Sequence, residues 1–280
     1  MRRLLAVFPL VFFALVACHP ALDPAQASSA SLQADPQRAA CDSADSERSG
    51  QGAEPPALPT NYASARAVLL EAGWLPLRDP ECWANVGGRA EVCNLLPETE
   101  VCSGDGYCVL HLGHVGESKT LRVTTYGDWA RWHLPGADGL QLRSSHESSL
   151  ATLAPLACPA STFDGFLSAF ASSEATRLAF TAPLVRVAEL KSTDEGDFPR
   201  EVLVRGGAYT GFNVRYGRGM FHHVDAWGEV DPAPLPLEVK RAGNTFDVRY
   251  RYGMSEGNSY AFEALDGCWR LVADPEPPAP

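Results

Sequence analysis

His222-His223-Val224-Asp225 is the segment that comes nearest to an acid–base pair. Successive side chains on a strand point to opposite faces, so the two histidines cannot chelate one metal as neighbours. His223 and Asp225 would share a face and could polarise each other. A histidine simply packed on a strand is the plainer reading. Trp227 follows closely, and Tyr209, Phe212, Tyr250 and Tyr260 crowd the same region. Such aromatics either line a ligand cavity, as Trp227 and Tyr260 would beside His223 and Asp225, or fill a core.

The other chemistry-bearing clusters are weaker. His111 and His114 span a strand end and a turn and fit no zinc spacing. Asp194-Glu195-Gly196-Asp197 offers carboxylates but lacks the bidentate glutamate that completes a calcium loop, so a solvated turn is expected. Ser103-Gly104-Asp105-Gly106 has neither the order of a nucleophile elbow nor a basic residue for phosphate. No catalytic set is complete, and neither metal nor cofactor is expected.

The cysteines point to a compartment. Arg2 and Arg3 precede an uncharged run from Leu4 to Ala17, shorter than the ~20 residues of a spanning helix and suited to a signal peptide over residues 1–17. The run ends in Leu15-Val16-Ala17-Cys18, which resembles the bacterial lipobox. That resemblance implies cleavage before Cys18 and lipid on its thiol and amino group; two or more acyl chains anchor stably. His19 in place of aspartate implies sorting to the outer membrane, facing the periplasm. Exported thiols meet an oxidising environment, so disulfides are expected among Cys82, Cys93, Cys102 and Cys108, in any of three connectivities. Cys158 and Cys268 would form a third bridge, worth about 4–5 kcal/mol in a chain-entropy estimate, and Cys41 is left odd.

The net charge is −11, and residues 1–17 hold two arginines and no acid, so the chain beyond them is more acidic still. Nucleic acid and anionic headgroups are excluded as electrostatic partners.

Residues 18–58 are polar, with almost no large apolar side chains, and are expected to form a tether. Thr60 or Asn61 would cap a helix over Tyr62–Ala72, which Gly73 would end. Strands are expected around Tyr107–Val109 and Leu121–Thr125, with a turn over Gly113–Ser118. Trp129 and Trp132 would close a small disulfide-rich α+β domain over residues 59–140. A linker over residues 141–157 would lead to a second α+β domain over residues 158–274 and a loose tail over residues 275–280. Ser161 to Asp164 would cap a helix whose Phe163, Phe166, Leu167 and Phe170 form one apolar face. Strands follow from Glu201. In the last hairpin, Ala264 would oppose Trp269, Glu263 would oppose Arg270 and Phe262 would oppose Leu271 across Asp266-Gly267. Leu237 and Val239 would oppose Val248 and Phe246 across Ala242-Gly243.

Phe163-x-x-Phe166-Leu167-x-x-Phe170-Ala171, Ala182-Pro183-Leu184, Tyr260-Ala261-Phe262 and Gly267-x-Trp269-x-Leu271, then Asp274, resemble a bacterial family with the fold of nuclear transport factor two and cystatin-like proteins. The resemblance implies a cone, one helix wrapped by a curved antiparallel sheet, and brings no activity. Gly73-Trp74-x-Pro76, Pro97-Glu98 and Cys102-Ser103-Gly104-x-Gly106-x-Cys108 resemble an uncharacterised exported module.

Together these readings imply a lipid-anchored envelope protein that binds another envelope protein as an accessory or inhibitor module. The alternative is a small-molecule binder or enzyme using a cavity within residues 158–274. Replacing Cys18 by serine is expected to abolish incorporation of labelled palmitate; unchanged labelling would remove the anchor.

Overall fold

A computed structural model describes residues 58–151, 156–193, 196–253, 256–265 and 267–276. The signal segment, Cys18, Cys41, nearly all of the expected tether, Asp194, Glu195 and Asp266 lie outside the described residues, as does the tail from residue 277.

The first half opens with α1 (Tyr62–Glu71), capped by Asn61, whose side chain accepts from the Ser64 amide. Gly73 turns the chain with φ 87° into β1 (Leu75–Arg78). Two short helices, α2 (Cys82–Asn85) and α3 (Glu91–Leu95), follow and are joined by the Cys82–Cys93 disulfide. Next come β2 (Thr99–Cys102) and β3 (Tyr107–His114), bridged by Cys102–Cys108, then β4 (Lys119–Tyr126) and β5 (Gln141–Ser149). Trp129 and Trp132 pack against this core.

The second half starts with α4 (Phe163–Ser172), where Thr162 caps by accepting from the Gly165 amide. Ser173 breaks the helix and caps α5 (Glu174–Phe180). Seven strands complete it in the main sheet or beside it: β6 (Thr181–Thr193), β7 (Gly196–Arg205), β8 (Val214–Gly217), β9 (Met220–His223), β10 (Leu237–Ala242), β11 (Thr245–Tyr252) and β12 (Glu256–Leu265). The closing strand, β13 (Cys268–Asp274), is tied to the start of α4 by Cys158–Cys268, the expected bridge.

The expected fold class, a small α+β module followed by a helix-plus-antiparallel-sheet cone, is overturned. The protein is mostly β, and eleven strands form one mixed sheet in the order β10-β11-β12-β13-β6-β7-β1-β3-β4-β5, with β2 beside β3. Among the described residues, only the strands β8 and β9 pair apart from it. β13 pairs with β6, and β1 with β7, in parallel, and the second of these joins the halves. A closed cone cannot form when its sheet runs on into a neighbour's. Residues 141–149, expected as linker, are the edge strand β5; their polar side chains face solvent and hide a strand from a hydrophobicity pattern. Gly113, expected in a turn, lies inside β3, where a Cβ would strike Leu203 and Leu184 at 2.6 and 2.9 Å.

The last hairpin keeps its expected register at all three pairs. The β10–β11 hairpin does not. Its turn is Gly243-Asn244, with Gly243 at φ 63°, so Leu237 opposes Tyr250 and Val239 opposes Val248. A one-residue slip of the turn moves the register by two, which keeps every side chain on its face.

One buried charge pins α1. The Glu98 carboxylate is fully buried; Arg66 binds it through both nitrogen Nε and Nη2, and the Tyr62 hydroxyl donates to it at 2.8 Å. Arg66→Ala leaves that carboxylate uncompensated and is expected to cost about 3–5 kcal/mol. Glu98→Gln should cost less, because an amide oxygen still accepts from Tyr62. Urea unfolding checks both, and equal losses would contradict the pairing.

Candidate functional site

The strand pair β8–β9 and the loop after it bring most of the expected site residues together. β9 pairs with β8 as Val214 with His223 and Arg215 with His222. His222 is buried, with Nδ1 between the carbonyls of Asp231 and Ala233 at 3.0 and 3.1 Å. His223, on the opposite face, stacks flat on Tyr252 with ring centres 3.9 Å apart, and Asn213 lies 3.4 Å from its Nε2. The Tyr252 hydroxyl donates to Asp231 at 2.8 Å. That bond, after the stronger one from the Ala233 amide, holds the Asp231 carboxyl below the usual range.

Asp225 is not the partner of His223. Its Oδ1 accepts from the amides of Trp227 and Glu229 at 2.9 and 2.8 Å, and its backbone closes the same loop through Glu229 and Gly228. Val224 and Val230 pair across the base. The carboxylate is spent on a turn, so the sequence alternation that put His223 and Asp225 on one face did not make them a pair. At the tip of this braced loop the Trp227 side chain is 88% exposed. Val230, at the base of the same loop, is also exposed, and Glu229 lies on the loop with Trp227.

No protein-family model and no curated protein matches the chain. Geometry alone carries the functional reading. No helix among the described residues is long and apolar enough to cross a membrane.

Tyr260, expected at a cavity, is buried instead. Its hydroxyl donates to Asn213 Oδ1 and the Gly211 carbonyl and accepts from the Asn213 amide; Tyr250 also reaches Asn213, at 2.6 Å. Burial pushes its phenol well above the ordinary range. Beside it Phe163, Phe166, Phe170, Phe212 and Phe262 interlock. Tyr250 and Tyr260 are therefore core, whereas Tyr209 and Phe212 are half-buried, pack against it and line a cleft of about 280 Å³. Elsewhere His111 bonds Glu100 at 2.6 Å and His114 faces the Ala72 carbonyl at 3.1 Å, so these two histidines do not converge.

The sequence resemblance ended on Asp274 but assigned it no role. It is 6% exposed; Tyr209 donates to its Oδ2 at 2.8 Å, while Oδ1 has no hydrogen bond. Gly211 must be glycine here, because a Cβ would lie 2.7 Å from Asp274 Oδ2. Burial raises the carboxyl from 3.8 to about 6, against the pull of Tyr209 and Asn258. Apart from that resemblance, it reads in the sequence only as an acid ending an apolar strand.

A carboxyl raised in the folded protein favours folding when protonated. Its contribution is complete below 3.8 and lost as pH rises through about 6. At neutral pH the charged form costs the fold about 3 kcal/mol. Asp274→Asn is therefore expected to raise the urea midpoint at pH 7.5 and to lose that advantage near pH 4. Asp231, whose shift is opposite, weakens both proteins equally in acid, so their difference isolates Asp274. An asparagine variant no more stable at pH 7.5 would contradict the cost.

Proposed function

We propose that this is a lipid-anchored protein of the bacterial envelope, tethered through Cys18 to the outer membrane and facing the periplasm, which acts by holding a protein partner. The braced presentation of Trp227 carries the reading. An indole on a mobile loop would lose entropy on docking; here the backbone that carries it is held in advance by Asp225 and the Val224–Val230 bridge. Tryptophan in such positions dominates binding energy at interfaces. Asp225, Glu229 and Asp231 flank it, so the partner it fits offers an apolar pocket rimmed by basic side chains.

Two further observations support the reading. The three disulfides suit an oxidising compartment. His223 and Asp225, the residues nearest to an acid–base pair in the sequence, are committed to a stacked ring and to a turn.

The test is capture of partners from envelope extract by the oxidised protein, compared with two variants. Trp227→Ala is expected to lose the dominant partner, at least thirtyfold in affinity, the equivalent of about 2 kcal/mol. Trp83→Ala, at another half-exposed indole, should retain it. Equal capture by both variants would place the interface elsewhere.

A further inference from the structure

A cleft of about 310 Å³ lies between the turn joining β3 to β4, the start of β6 and the β12–β13 hairpin. Val115, Leu150, Leu184, Leu265 and Val272 give it apolar walls. Val115 and Leu265 are substantially exposed to solvent there. Two charged residues line the same space, Glu263 and Arg270.

These two stand directly opposite each other on β12 and β13. Cross-strand partners have Cβ atoms about 4.5–5.5 Å apart, close enough for a salt bridge. Yet neither the carboxylate nor the guanidinium makes a hydrogen bond or ion pair with any described residue. Both charged side chains line the cleft, together with Ser118 and the aliphatic residues. A ligand complementary to that wall carries a carboxylate for the planar guanidinium fork and an ammonium for the glutamate. The two groups must sit on neighbouring atoms, with an apolar substituent beside them. Either end of a peptide satisfies only one of the two charges. The volume, at the small end of ligand cavities, also fits a molecule of this size.

We propose that this cleft binds a free α-amino acid with an apolar side chain, its carboxylate on Arg270 and its ammonium on Glu263. The site is separate from the Trp227 loop and does not depend on it.

Isothermal titration of the full chain with L-leucine, glycine, N-acetyl-L-leucine and L-leucinamide tests the assignment. Leucine is expected to bind. Each of the other three, lacking the side chain, the ammonium or the carboxylate, should bind at least tenfold more weakly. Glu263→Gln should remove the preference for leucine over its acetylated form, and Arg270→Gln the preference over leucinamide. Trp227→Ala should leave leucine binding unchanged. No heat with leucine or phenylalanine at millimolar concentration would overturn the proposal, as would equal binding of leucine and N-acetyl-leucine. The blocked ligands decide the matter on the unaltered protein even where a variant folds poorly.

Discussion

Four residues, Leu75 to Arg78, hold the two halves of this protein in one sheet. β1 pairs antiparallel with β3 through Leu75 and Pro76 and in parallel with β7 through Leu77 and Arg78. Beneath the seam Leu77, Leu184 and Leu203 form a small core of their own, into which Gly113 admits them by having no side chain. Above it Arg78 grips both oxygens of Glu189 on β6 at 2.6 and 2.7 Å. Arg200 on β7 adds a second guanidinium to the same carboxylate and reaches the Asn94 carbonyl on α3. The contacts are partly shielded from water, where charge-assisted hydrogen bonds are strong. Each half has its own disulfide-stapled core, but neither finishes its sheet without the other's strand. The cleft that exposes Glu263 and Arg270 exists because Leu184 and Leu265 from one half meet Val115 and Leu150 from the other.

That seam is also where sequence reading stopped. Local signals worked where the physics is local. Asn61 and Thr162 cap helices because their oxygens reach an amide three residues on. The final hairpin kept its register because Phe262 and Leu271 must both face the core, and a one-residue slip would turn them out. The pairing of β1 with β7 joins segments more than a hundred residues apart, and no pattern in either segment encodes it. β5 has the opposite difficulty. It is a true strand that buries almost nothing, so its serines read as linker. A family resemblance built on core positions of α4, β12 and β13 carried the reading towards a cone, because those positions say how the helix meets its strands but not where the sheet ends.

The site shows the same division. Alternation placed His222 and His223 on opposite faces, and the structure has one buried against carbonyls and the other stacked on Tyr252. Chemistry did not follow from shared faces, because Asp225 sits at the strand's end, where a carboxylate satisfies loop amides better than a neighbouring ring. The Tyr209–Asp274 pair joins residues 65 positions apart, and only the folded chain reveals it. A buried acid with one unbonded oxygen is a cost, and Gly211 shows it is built in, since the backbone there comes close enough to admit nothing larger than hydrogen.

An exposed tryptophan is costly in a different currency. Complete burial of an indole removes 150–250 Å² from water, worth on the order of 4–6 kcal/mol at ~25 cal/mol per Å². The fold has ample means to recover that energy internally: Phe163 and Trp269 pack against several rings each, and Trp129 and Trp132 lie against the first core. Trp227 lies apart from all of them, at the tip of a loop in which the Asp225 carboxylate accepts from the Trp227 amide. A residue exposed by neglect would sit on a loop without such bracing. Bracing of the backbone lowers the ordering cost of any association that would bury the ring.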